Sequence, residues 1–228
     1  MASGQPTWTQ ESDDALLAEF PGPPSLDSHR RVMALYHALA RARVEGVKNL
    51  HPSYCSLLVV FDPLCWSSVE LLSTLENASS GAAAATDQPR QVEIPICCAP
   101  DFAPDLAFVA AAASLTAQAA AERLAAATYH VAFLGFAPGF PYLLGLPPEL
   151  AAPRLARPRI RVPAGSVGIA GSQAGIYPSE TPGGWRLVGR TPLRLFDSAR
   201  DPMSLLLPGD ELRFTPIDDA RFEDLARP

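Results

Sequence analysis

Lysine is nearly absent from this chain of 228 residues: Lys48 is the single one, so almost every positive charge is an arginine. That scarcity excludes a serine–lysine amidase arrangement in the C-terminal half, and no Gly-Lys-Ser/Thr phosphate loop exists. Cysteine is sparse as well. Cys55, Cys65, Cys97 and Cys98 show no Cys-x-x-Cys or other zinc spacing and read as free thiols of a cytosolic protein. Histidine is limited to His29, His37, His51 and His130, with no pair in a metal-binding spacing, so no metal is expected. His29 and His37 are expected on a helix surface and His130 at a strand edge. No apolar run reaches membrane-spanning length, because the alanine-rich tract at 107–128 is broken by Gln118, Glu122 and Arg123. The opening MASGQPTWTQESDD has neither the basic nor the apolar region of a secretory signal, which leads to a cytoplasmic expectation. A net charge of −6 argues against general nucleic-acid binding.

What is present fits a globular protein: 48% hydrophobic and 18% charged residues, in a length suited to one large domain or two small ones. The positive charge is uneven. From Arg154 to Phe196 stand seven arginines (154, 157, 159, 161, 186, 190 and 194) against one acid, Glu180. Guanidinium forks suit carboxylate and phosphate, and each arginine is equally open to a solvated or acid-paired role.

The pattern implies an α+β protein. Residues 1–10 read as disordered and 14–20 as a strand. Apolar residues at Leu26, Val32, Leu35, Tyr36 and Leu39 mark an amphipathic helix over 26–44. Residues 47–51 and 55–62 read as strands joined at Pro52–Ser53. A second helix follows at 65–78, with Ser67 or Ser68 as cap and Glu70 in its first turn. A low-complexity loop spans 79–90, and Gln91–Cys97 alternates as a strand. The order β-α-β-β-α-β is that of a ferredoxin-like unit, placed at about 11–96. A second domain, 97–228, begins with two helices, the first starting at Asp105 and the second capped by Thr116. Short strands follow at 130–136, 159–163, 166–170, 175–178, 185–189, 193–197 and 210–216. Their Gly and Pro turns argue for a barrel or sandwich.

The run His130–Asp197 concentrates glycine, proline, arginine and aromatics, as a shaped binding surface would. Within AGSVGIAGSQAGI (164–176), Ser166 lacks the first glycine of a nucleophile elbow and sits between strands, so tight β-turns are the simpler reading. GFAPGFPYLLGLP (135–147) and TPGGWRLVGRTPLRLFD (181–197) combine rigid turns with aromatic anchors and arginines.

These segments, with PRIRVPAGSVGIAGSQAGIYP and LLLPGDELRFTPI, resemble the bacterial KipI / PxpB family, also called allophanate hydrolase subunit 1. The resemblance covers nearly the whole chain and is densest over 130–217. It implies an N-terminal α/β domain and a C-terminal cyclophilin-like β-barrel. It also implies a second subunit of the KipA / PxpC type and, in many bacteria, a third of the LamB/YcsF (PxpA) type. Together these form an ATP-dependent 5-oxoprolinase that opens 5-oxoproline to glutamate, with ATP used by the complex. Phosphorylation of the amide oxygen would activate the ring carbonyl toward water. Two alternatives carry the same surface: a KipI-like inhibitor of a histidine kinase, and a carboxyltransferase half-domain of a urea carboxylase or allophanate hydrolase system. This chain has no biotin-attachment motif of its own. The chain departs from the family pattern in two places. Leu124-Ala125-Ala126 replaces a segment that usually carries a histidine, and Cys97-Cys98-Ala99-Pro100 replaces a Cys-Tyr-Gly-Gly turn. Within this frame Arg159, Arg161 and Arg190 are the expected charges for a small anionic substrate. Gly165, Ser166, Gly171 and Gln173 would give backbone or polar contacts, and Phe140, Tyr142, Tyr177 and Trp185 the pocket wall. No catalytic residue is assigned to this chain.

Overall fold

The computed structural model describes residues 5–79 and 88–227. The fold is mixed α+β and divides into two compact units at Gln88/Pro89.

The first unit holds β1 (Thr7–Ser12), β2 (Ala15–Glu19), α1 (Leu26–Ala42), β3 (Val47–Pro52), β4 (Ser56–Phe61) and α2 (Ser68–Ser79). Strict alternation in β4 turns Leu57, Val59 and Phe61 inward. They meet Val32, Leu35 and Leu39 of α1 and Leu71 and Leu75 of α2 in one apolar core. Each such side chain contributes about 1.5–3 kcal/mol on full burial. Both helix starts are fixed locally. Ser25 Oγ accepts from the Ser28 amide at 3.1 Å while Ser28 Oγ accepts from the Ser25 amide at 2.9 Å. Ser67 and Glu70 make the same reciprocal pair, at 3.3 and 3.4 Å.

The sheet order is β1-β2-β4-β3, every neighbour antiparallel. Several expectations change here. The N-terminus is not disordered from Thr7 onward: β1 forms a hairpin with β2, while residues 1–4 lie outside the described residues. The strand expected to complete this sheet, Gln91–Cys97, is absent from it, and β1 takes the place beside β2. The unit therefore ends at Gln88 rather than near 96. Most of the low-complexity loop, 80–87, also lies outside the described residues. His29 is buried in α1, not on its surface, because it lies one turn below Val32 and Met33 on the inward face.

The second unit contains β5 (Gln91–Cys97), α3 (Leu106–Ala112), α4 (Ala117–Ala126), β6 (Thr128–Leu134), β7 (Pro141–Leu144), a 3₁₀ turn at Pro148–Leu150, β8 (Arg159–Val162), β9 (Ser166–Ala170), β10 (Gln173–Ile176), β11 (Thr181–Gly183), β12 (Arg186–Arg190), β13 (Glu211–Ile217) and α5 (Asp219–Ala226). Seven strands close into a barrel in the order β10-β7-β6-β13-β5-β12-β9, and β8 and β11 form a separate two-stranded ribbon. Inside, Ile94, Val131, Leu143, Ile169, Val188 and Phe214 pack together. Strand β5 pairs parallel to β13 from Gln91↔Glu211 to Cys97↔Ile217. An ion pair between Arg90 and Asp210 holds the start of that register. The predicted strand at 193–197 reduces to an isolated bridge, Phe196↔Ser204, because the Asp197 carboxylate caps a turn at the Ala199 amide (3.0 Å). His130 is not at an edge: β6 is paired on both sides, and His130 Nδ1 lies 3.7 Å from Glu211. Among the described residues, no helix is long and apolar enough to cross a membrane.

Candidate functional site

Strand β12 carries a cationic group at each end. At its start a buried carboxylate organises the arginines. Asp105, 7% exposed, begins α3 but does not cap it with its side chain. Its Oδ2 instead accepts from the Leu187 amide at 2.7 Å and lies 2.9 Å from Arg159 Nη2, while Oδ1 is 3.7 Å from Arg186 Nη1. The Asp105 amide donates to the Leu187 carbonyl at 2.9 Å, completing a two-way clamp on β12. The Arg186 guanidinium covers the Phe108 ring at 3.8 Å. The sequence marks Asp105 only as a helix start, since nothing local links it to a strand 82 residues downstream.

Arg190, at the other end, differs. Its Nε donates to the Ala164 carbonyl at 2.8 Å and its guanidinium lies 5.6 Å from the Phe222 ring centroid. Among the described residues no carboxylate lies within ion-pair distance, and desolvation alone lowers its pKa from the ordinary arginine value. The neighbouring turn requires glycine. Gly165 has φ +80°, and a side-chain carbon there would collide with the Thr191 carbonyl oxygen. Its amide donates to the Tyr177 carbonyl at 2.7 Å and its carbonyl accepts from the Thr191 amide at 2.9 Å, which fixes the backbone around Arg190.

The expected residues therefore separate. Arg159 is neutralised by Asp105, and Arg161 pairs with Glu180 at 2.8 Å. Among the described residues, Arg190 alone of the three stands without an acid. Ser166, the first residue of β9, is 1% exposed. Gly171 lies in the exposed turn between β9 and β10, with Gln173 at the start of β10. Phe140, Tyr142, Tyr177 and Trp185 do come together, with ring centroids 5.0–5.8 Å apart. Phe140 and Tyr177 are 1% and 2% exposed, and the four pack together as a second small core. Over it lies the open loop Leu134–Gly139, which lines a depression of about 320 Å³. From this loop Phe136 projects, 64% exposed at φ +65°, an uncommon conformation for a bulky residue. Its ring stands edge-on to Phe140 at 5.4 Å. No sequence signal separates Phe136 from Phe140, because the exposure follows from the loop's path.

The two departures from the family pattern also have places. Leu124 is 1% exposed in the barrel core, with its carbonyl accepting from the Tyr129 hydroxyl at 3.0 Å. Cys97 Sγ donates to Asp219 Oδ1 at 3.2 Å. Burial raises the Cys97 thiol and pushes Cys98 up to about 12. Neither is a ready nucleophile at neutral pH. Iodoacetamide is expected to label the exposed Cys65 first, and Cys97 and Cys98 only on unfolding. Early modification of Cys98 in peptide maps would contradict this. Among the described residues, no group of three or more His, Cys, Asp and Glu could hold a metal ion.

A family model described as the carboxyltransferase domain, subdomain C and D, matches residues 6–206. The chain belongs to that family. A curated member, the B component of the 5-oxoprolinase of Escherichia coli O157:H7, is 40% identical over 204 residues, covering 90% of this chain and 93% of the relative. Among solved structures, the protein TTHA0988 superposes with a TM-score of 0.78 at 36% identity over 90% of this chain. This chain spans 40% of that protein's length. The Kluyveromyces lactis urea carboxylase contains the same fold at 23% identity, with a TM-score of 0.73; 97% of this chain is matched to 22% of that one. This carboxyltransferase-family barrel thus occurs both in chains of this length and as one part of longer ones.

Proposed function

We propose that this chain is the PxpB-type subunit of an ATP-dependent 5-oxoprolinase, a complex that hydrolyses the ring amide of 5-oxo-L-proline to L-glutamate. The observation that carries this reading is the 40% identity to the corresponding 5-oxoprolinase component of Escherichia coli O157:H7 across nearly the full length of both chains. In it the chain is a cytoplasmic, non-autonomous subunit, working with a KipA / PxpC-type partner and a LamB/YcsF-type one. Its barrel is of the cyclophilin-like kind and its first unit a variant of the ferredoxin-like one.

On this chain Arg190 is the residue for an anionic group of the reaction. A partly desolvated guanidinium with no acid beside it gains most from a charge-assisted bond to a carboxylate or phosphoryl oxygen. Gly165 keeps the adjoining turn close to it. Ser166 stands opposite Arg190 in the β9–β12 pairing, whereas Arg159, Gly171 and Gln173 belong to the other end of these strands. The residues present do not fit a nucleotide cradle. The one lysine, Lys48, lies 3.2 Å from Asp62 in the first unit, and no glycine-rich phosphate loop precedes a helix. ATP belongs to the complex as a whole, and no step on this chain is routed through it.

Co-expression of the three subunits, with glutamate and ADP measured from 5-oxoproline, tests the reading. Stoichiometric formation of both is the expected result. A folded complex with no turnover would overturn it. The chain by itself is expected to be inactive.

A further inference from the structure

Arg190 stands in a row of polar side chains that crosses three strands. It lies opposite Ser166 of β9 on one side and opposite Cys97 of β5 on the other, and cross-strand partners share a face. That face is the outer one. A side-chain carbon at Gly189 would meet Ile96 of the barrel core, so the next residue of β12 points outward. Cys97, which follows Ile96, points outward as well, yet it is 1% exposed. Helix α5 covers it. Strand β13 runs beside β5 as far as Ile217↔Cys97, and α5 begins at Asp219. Asp218 caps the helix at the Arg221 amide (2.8 Å), and Asp219 Oδ1 accepts from Cys97 Sγ at 3.2 Å. Phe222, the buried residue of α5, packs on the Phe102 ring with centroids 4.3 Å apart and lies 5.6 Å from the Arg190 guanidinium. Asp219 and Phe222 are on one side of the helix, as residues at i and i+3 are. So short a helix has little stability of its own, and its burial centres on this one ring.

We propose that α5 positions Arg190 for its anion: Phe222, seated on Phe102 and anchored through Asp219 to Cys97, holds the guanidinium in place on the outer face of the barrel. The proposal rests on the reading of Arg190 as the anion-binding residue of a 5-oxoprolinase subunit. The bond from Nε to the Ala164 carbonyl restrains one edge of the guanidinium, and the Phe222 ring restrains it from the side of α5. A freely rotating arginine loses rotamer freedom when it takes up an anion; one already held loses less, so the restraint tightens binding. An aromatic ring suits this task because it attracts the guanidinium without neutralising it. A carboxylate in its place would cancel the charge, as Asp105 does for Arg159. Phe222 is therefore a positioning residue, acting through Arg190.

The test compares Phe222→Leu, which keeps an apolar side chain against Phe102 but removes the ring, with Phe222→Tyr, which keeps the ring. Melting curves identify any variant that fails to fold. In the assembled complex Phe222→Leu is expected to lower kcat/KM for 5-oxoproline by about 3–10-fold, within the worth of a cation–π contact, and Phe222→Tyr to stay near wild type. In an Arg190→Ala background Phe222→Leu should add no further loss, because its effect runs through Arg190. A second readout needs no turnover. Phenylglyoxal, followed by peptide mapping of the full chain by itself, should modify Arg190 about 3–10-fold faster in Phe222→Leu than in wild type. The proposal is overturned if folded Phe222→Leu keeps the wild-type kcat/KM in an active complex or the wild-type modification rate at Arg190. It is equally overturned if the kinetic loss persists undiminished in the Arg190→Ala background. A wild-type complex without turnover would remove the 5-oxoprolinase reading, and the modification rate alone then decides whether α5 holds Arg190.

Discussion

Asp105→Ala is expected to destabilise the second unit by about 3–5 kcal/mol, the cost of breaking a buried ion pair by deleting one partner. For a unit of this size the corresponding fall in Tm is on the order of 10 °C. The substitution removes three things together: the acceptor for the Leu187 amide, the counter-charge of Arg159 and that of Arg186. It leaves two guanidinium groups side by side with no acid between them, and α3 loses its side-chain anchor to β12. Asp105→Asn keeps an acceptor for the amide and removes only the charge, so its loss should be smaller, about 1–3 kcal/mol. Urea titration of the three proteins decides the matter. An alanine variant as stable as wild type would show that Asp105 is solvated rather than clamped.

Arg190→Ala is expected to lower kcat/KM of the assembled complex by about 10–100-fold, the range for losing a hydrogen bond to a charged group. Stability should change by less than about 2 kcal/mol, since the side chain gives up one hydrogen bond to Ala164 and its approach to the Phe222 ring. Arg190→Lys should recover only part of the activity, because an ammonium lacks the planar fork. The effects differ in kind. Asp105 acts on folding through groups that are already satisfied, whereas Arg190 has a charge still available to a ligand. Unchanged steady-state kinetics in Arg190→Ala would take it out of the site.

The helices are legible in the sequence because their signals are local. The inward face of α1 follows the 3.6-residue period, and of the two candidate caps Ser67 and Ser68 it is Ser67 that pairs with Glu70 of the first turn. Thr116 caps α4 through the Ala119 amide at 3.1 Å for the same reason. Strand β5 shows where this stops. Its alternation is visible, but alternation gives the face of a strand and not its partner. The partner, β13, lies 120 residues downstream, and the Arg90–Asp210 pair that sets the register spans the same separation. Strand β1 escapes a reading from sequence because it is almost wholly exposed and has no apolar face.

The sequence by itself determined that the chain has two helix-bearing segments with strands, that the stretch around Gly165 turns tightly, and that the anion-seeking chemistry is concentrated in the arginines after residue 153. It could not determine which of those arginines is available. Only the folded chain brings Asp105 to Arg159 and Glu180 to Arg161, leaving Arg190 beside Phe222 and Arg154 and Arg157 exposed. The physical reason is that charge pairing falls off within a few ångströms, and ångström distances between residues far apart in the chain are set by strand pairing rather than by composition.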